Sequence, residues 1–321
     1  MKYLVTLKPL EPFMFGGDQT FGQLGDKEAG SYLVKSRMFP QQTALLGMLK
    51  KEMMVQAGYL TRKLRGEWVD KQKKAKAEKL VGTEKFNMLS QTTQDLGSIA
   101  KLSPLFLMQG RKRYIKKVNI DAFPYEDGIL KGFDAKQDIF DNFVALDGGE
   151  NLTSDKIFKA IEQTGNKKGG EENSLFKKTT YLLLNNFTFA FYVEMDTPLN
   201  DALVTLGADR SSFMMIVQES SDGLEYVDSK GYLTLLSDAY ITLPLKEHCT
   251  FAISSEISHR NLSGKKTATH KYNNKFQKSE TLYLYEKGSV FIDASDALKE
   301  NINKQNLQQI GYNIYSIGEN K

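Results

Sequence analysis

Cys249 is the single cysteine among 321 residues. An intramolecular disulfide and a cysteine-based zinc site are therefore excluded, and a reducing cytoplasm is the simplest setting. No apolar run approaches the roughly 20 residues that a membrane-spanning helix needs. The opening MKYLVTLKPLEP lacks an apolar core followed by a small-residue cleavage site, so it reads as a first strand rather than a signal peptide. No segment matches GxxxxGKS/T, GxSxG or HExxH. Nor is there self-similarity at a period of about 20 to 50 residues, which excludes a solenoid. The three histidines, His248, His259 and His270, are evenly spaced but lie in strand and loop contexts. Metal ligation would need a carboxylate or cysteine partner at motif spacing, and none is visible, so no metal or cofactor is expected.

What is present fits an ordinary globular chain, with 40% hydrophobic and 26% charged residues. Length alone favours two domains. The net charge of +4 is modest but unevenly spread. Arg62 to Lys79 is strongly basic, and Gly110 to Lys117 and Ile257 to Ser279 are basic without a single acid. Asp121 to Asp155 is acidic, relieved only by Lys131 and Lys136. Such segregation suits one face for a polyanion and another for a basic protein partner. Ordinary solvated faces are the competing reading of any one run.

Phe39-Pro40-Gln41-Gln42-Thr43 leads into Ala44-Leu45-Leu46-Gly47-Met48-Leu49 and reads as a proline-led helix start. It follows a strand near Tyr3–Leu7 and the loop Glu11-Pro12-Phe13-Met14-Phe15-Gly16-Gly17. First-turn amides at the positive end of a helix can hold a phosphate. The apolar pattern Leu45, Leu46, Leu49, Met53 predicts a helix to about Tyr59. Arg62–Lys79 reads as a surface helix or an excursion, and Ile99–Met108 as a strand bent at Pro104. The aromatics scattered through the acidic segment predict an insertion packed on the scaffold or a neighbour. Thr180–Asn185 and Phe187–Asp196 look like a hairpin turning at Asn185-Asn186, and Asp201–Gly207 like a short helix. Met214–Gln218, Ala239–Leu243, Thr250–Ile253, Leu282–Tyr285 and Val290–Ile292 read as strands, and Ser295–Gln309 as a helix. The order predicts an α+β protein with antiparallel sheets, compatible with two ferredoxin-like (split βαβ) units.

Several segments in order resemble subunit three of the type III-B (Cmr) CRISPR effector complex, in the RAMP superfamily. They are LKPLEPFMFGG, FPQQTALLGMLK, LSPLFLMQGRKRYIKKVNIDAF, TGNKKGGEENSLFKKTTYLLL, LGADRSSF, YLYEKGSVF and GYNIYSIG. Together they cover nearly the whole chain. Two departures stand out: the prolines expected near the end of the third segment are absent, and Ala208-Asp209 replaces Gly-Glu in the fifth. The resemblance implies two RRM-like ferredoxin domains with insertions, set here at residues 1–160 and 161–321. It implies a non-catalytic subunit that holds the crRNA 5′ handle and joins the large polymerase-domain subunit to the backbone RAMP subunits in antiviral defence. Target RNA is then met only indirectly.

Single-stranded handles are read through main-chain amides, phosphates and stacking. The RNA-binding expectations are Phe15, Gly16, Gly17, Arg37, Gln41, Gln42, Thr43, Asn166, Lys167, Lys168, Arg210, Ser211, Lys265, Lys266, His270 and Lys275. Each has a plain alternative. Phe15 reads equally as core, Gln41 and Gln42 as solvated first-turn residues, Arg210 as an internal ion-pair partner, and the lysine loops as surface turns. Two functional rivals remain open. One is a metal-independent RAMP endoribonuclease that processes precursor crRNA, with His259 or His270 as base beside Lys266. The other is the equivalent subunit of a type III-A or III-D complex, or a scaffold without RNA contact.

Overall fold

The computed structural model describes all residues except 17–18, 22–31, 61–62, 65–66, 69, 83–84, 121–122, 124, 135–138, 167–174, 208–209, 228–230, 261, 265–275, 279 and 319–321. The chain opens with β1 (Lys2–Pro9), whose alternation buries Tyr3, Val5 and Leu7 on one face. β2 (Tyr32–Lys35) precedes α1 (Gln42–Gln56), which starts two residues after Pro40 and buries Leu45, Leu46, Leu49 and Met53. The basic region forms α2 (Lys71–Val81), capped by Asp70, whose carboxylate accepts from the Lys73 N–H at 3.0 Å. β3 (Ile99–Leu102) and β4 (Phe106–Gln109) flank Pro104, as a strand with a bend should. β5 (Lys112–Lys116) and β6 (Phe143–Ala145) follow.

Next come β7 (Phe158–Asn166), β8 (Leu175–Leu183), β9 (Phe187–Met195), β10 (Ala202–Leu206) and β11 (Ser211–Glu219). The remaining strands are β12 (Leu233–Leu235), β13 (Phe251–Ile253), β14 (Glu256–His259), β15 (Leu282–Tyr285) and β16 (Val290–Ile292). Helices α3 (Asp296–Ile302) and α4 (Gln305–Gln309) then lead to β17 (Tyr315–Ile317).

The large sheet runs β6-β5-β4-β9-β1-β11-β10, with β3 also on β9. Its centre, β11-β1-β9-β4, is a split βαβ: in order of appearance the strands lie 4-1-3-2. The second sheet, β17-β12-β16-β13, repeats that order with α3 and α4 as its second crossover. Neighbouring strands in both sheets are antiparallel. The α+β architecture of two ferredoxin-like units is thus present.

The division at residue 160 is corrected. That position lies inside β7, and β9 and β11 belong to the same sheet as β1. The first unit closes at Glu219 and the second opens at Leu233. The cause is tertiary: β1 finds both of its partners far downstream.

Four local expectations also fail. Strands β8 and β9 turn at Asn185 and Asn186, both at positive φ, but they part into different sheets instead of pairing. Ala202–Leu206 is a strand, since Val204 and Leu206 are buried in the core beside β11. Ala239–Leu243 makes only an isolated bridge at Ala239, and the closing helix breaks at Asn303. The acidic segment packs as expected: Ile120, Leu130 and Ile139 share a core with Ile253, Val290 and Ile292 of the second unit. No helix among the described residues is long and apolar enough to cross a membrane.

Candidate nucleic-acid interface

Phe15 is core. It is 2% exposed, lies 4.8 Å from Phe13 and 5.7 Å from Phe189 between ring centroids, and stacks on Phe213. Its backbone is also engaged, with the N–H donating to Ser36 Oγ at 2.8 Å and the carbonyl accepting from Arg37 N–H. A stacking role for Phe15 is therefore corrected, because the aromatic run FMF alternates into the sheet core.

Gln42 is corrected too. Its Nε2 donates to the carbonyls of Ser103 at 2.9 Å and Gly311 at 3.0 Å, and the side chain is buried. The first turn of α1 faces Tyr312 of the second unit, not solvent. The Tyr312 hydroxyl lies against the Gln42 and Thr43 amides without a hydrogen bond of good geometry, and burial pushes its pKa up. The anion-gripping corner read from the proline-led helix is thus a joint between units. Gly311 makes this possible: at φ +85 it brings the backbone so close that a Cβ would sit 2.4 Å from Gln42 Nε2. Gln41 and Thr43 keep partial exposure at the rim.

His259 sits in the same joint, 2% exposed and edge-on to Tyr312 with centroids 5.9 Å apart. Neither ring nitrogen has a hydrogen-bond partner. Burial, helped by the Arg37 charge, pushes its pKa down to about 4. It is a neutral, enclosed imidazole, which speaks against its use as a general base on RNA.

Ser211 is buried, and its Oγ accepts from the Met14 N–H at 3.3 Å. Its role is to clip β11 to the loop at Met14 rather than to meet RNA. Arg37 hydrogen-bonds Ser258, with Nη2 3.1 Å from Oγ and also donating to the carbonyl, while it stays partly exposed. Arg210 is exposed at φ +56 in the turn after Gly207. That turn rests on the loop, because a Cβ on Gly207 would meet Met14 O at 2.3 Å. Gly16 is exposed, and a Cβ there would meet nothing within 4 Å.

Segments far apart in sequence therefore converge: exposed Gly16, Arg37 beside it, and Arg210. From the same corner springs the β7–β8 hairpin, tied down by the Phe13 to Tyr181 bridge and by Ser36 N–H on Thr179 O. Two exposed lysines of this corner were missed by sequence reasoning, Lys35 on β2 and Lys177 on β8, which stand opposite Thr179 and Leu33 respectively in the parallel pairing of the two strands. The alternation in LFKKTTYLLL could have flagged Lys177. Asn166 closes the paired part of β7 opposite Leu175. Gly17, Lys167, Lys168, Lys265, Lys266, His270 and Lys275 lie outside the described residues.

The chain thus carries two split βαβ units in series, which meet where the proline-led helix packs on the turn at Gly311. Residues 5–115 match the family model described as CRISPR-associated protein (Cas_Cmr3). A chain in the cryo-EM structure of the Type III-B Cmr-beta bound to cognate target RNA shares the fold. It is 14% identical at TM-score 0.53, covering 98% of this chain and 96% of that one. A chain of the same assembly bound to cognate target RNA and AMPPnP, state 1, is 14% identical at TM-score 0.48, with 99% of each chain covered. A chain of the Csm3-Csm4 subcomplex in the type III-A CRISPR-Cas interference complex is 11% identical at TM-score 0.39, covering 91% and 93%. Comparison with curated proteins gives no match.

Proposed function

We propose that this chain is a non-catalytic, RNA-holding subunit of a type III-B effector, acting in the cytoplasm. It grips the crRNA 5′ handle and bridges the large polymerase-domain subunit to the backbone RAMP subunits. The observation that carries the reading is the convergence of Gly16, Arg37 and Arg210 at the root of the lysine-bearing β7–β8 hairpin. Exposed main chain and cations on one corner suit a single-stranded phosphate backbone. The family match over residues 5–115 and the fold shared with a Cmr-beta chain point the same way. For bridging, the acidic insertion offers a second surface. Its two-stranded tip, Tyr125–Glu126 with Ile129–Leu130, projects Asp127 and a 64% exposed Ile129 from a base seated on the second unit.

The test is a map of the reconstituted complex with its guide, joined to crosslinking of 5′-labelled crRNA at rising salt. Crosslinks concentrated on Gly16, Arg37, Lys177 and Arg210, and weakening with salt, support the reading. A handle remote from this corner and from the lysine-bearing loops overturns it. Metal-independent cleavage of repeat RNA, abolished by His270→Ala, would replace it with the nuclease.

A further inference from the structure

The face of the large sheet turned away from α1 carries a pocket of 170 Å³ that the handle reading does not use. Alternation along β1 and β9 sends Lys2, Tyr192 and Glu194 to this face, opposite Tyr3 and Val193. The register aligns Lys2 with Glu194, and Glu194 with Lys101, so a cation, an anion and a cation stand side by side across three strands. Among the described residues none of these three side chains makes a hydrogen bond or ion pair. The Lys2 amine hangs over Gly223, where a Cβ would lie 4.0 Å away. Apolar lining comes from the 6% exposed Tyr192 together with Pro104, Leu224 and Ile314.

We propose that this pocket binds a guanine nucleotide. A planar base suits a pocket whose apolar lining is Tyr192, Pro104, Leu224 and Ile314. A carboxylate that accepts two parallel donors selects guanine, whose N1–H and N2–H lie on one edge. Adenine offers one donor beside an acceptor, and uracil one donor between acceptors. Lys2 and Lys101, either side of Glu194, receive the phosphate and make binding fall with salt. The same chemistry serves a free nucleotide and a guanosine within a strand. Because the pocket lies across the sheet from the Gly16–Arg210 corner, it stands or falls independently of handle binding there.

The full-length protein is titrated with GMP, AMP and the trinucleotides r(AGA) and r(AAA), with binding read by calorimetry and by saturation-transfer NMR. GMP or r(AGA) is expected to bind about tenfold more tightly than its adenine counterpart, the discrimination of one good bidentate contact. Glu194→Gln should erase that preference, and Lys101→Ala should weaken both nucleotides and flatten the salt dependence. Binding of GMP alone identifies a free nucleotide, and binding of r(AGA) alone identifies a strand; either supports the site. Equal binding of guanine and adenine ligands, or no binding by any, overturns it. So does a guanine preference that survives Glu194→Gln. Leu224→Trp, which fills the pocket without touching the charges, must also abolish binding in a protein whose melting temperature is unchanged. Retained binding in that variant rejects this location.

Discussion

Lys287 Nζ lies 3.7 Å from the centroid of the Phe39 ring, with the lysine only 8% exposed. Phe39 leads α1 of the first unit, whereas Lys287 sits in the turn between β15 and β16 of the second. Burial pushes the amine pKa down to about 8, against the pull of Asp238 and Glu286. The ring face is the compensation for a desolvated ammonium. Phe39→Leu should lower stability by about 1–2 kcal/mol, read from the urea midpoint. Lys287→Met should cost less, since the thioether keeps volume and removes the desolvation penalty. A larger loss for Lys287→Met than for Phe39→Leu would show that the amine has another essential partner.

His259 gives the joint an acid limit. Its folded pKa of about 4 lies below the ordinary 6.5, so the unfolded chain takes up the proton more readily. Its contribution is full above pH 6.5 and is lost as pH falls towards 4. The loss amounts to roughly 2–3 kcal/mol. His259→Leu should flatten this part of the stability curve when both proteins are unfolded in denaturant between pH 7 and pH 4.5. Parallel curves for the two proteins would refute the assignment.

Two glycines, one within α1 and one in the turn after α4, should respond in opposite directions to alanine. Gly311 stands at φ +85 with Ser103 O and Gln42 Nε2 where a Cβ would go. Gly311→Ala should therefore destabilise by about 2 kcal/mol or more and loosen the two units. Gly47 lies within α1, exposed, with nothing within 4 Å of a built Cβ. Gly47→Ala should stabilise by about 0.5–1 kcal/mol. Thermal melts of both variants check the pair.

Phe15 and Arg210 separate folding from binding. Phe15→Ala should cost about 3–5 kcal/mol in stability, because the ring is enclosed by aromatics. Arg210→Ala combined with Lys177→Ala should leave the melting temperature within about a degree while lowering RNA affinity several-fold and reducing the salt slope by about two. Unchanged RNA affinity in the double variant would remove both residues from the interface.

The fold was legible where local pattern and tertiary partner agree. The proline-led helix, the Pro104 bend, β11 and Val290–Ile292 all form where alternation or capping places them. Illegible were the features set by distant neighbours. Nothing within Asp201–Gly207 says that β11 waits beside it, and nothing near residue 160 says that β9 returns to β1. The site divides in the same way. Arg37, Gly16 and Arg210 lie on one corner, a grouping no local motif announced, while Phe15, Gln42 and Ser211 are drawn inward by Phe189, Gly311 and Met14. Sequence motifs mark both kinds of residue alike, since holding two units together constrains a side chain as tightly as holding a ligand does.

The strand that starts the chain is hydrogen-bonded on one edge to residues 189–194 and on the other to residues 213–219. During synthesis β1 must stay unsatisfied until residues 189–219 have left the ribosome. Its unpaired edges invite association with other nascent chains over that interval. Productive maturation should therefore be slow and sensitive to expression rate, and slower expression should raise the yield of native protein.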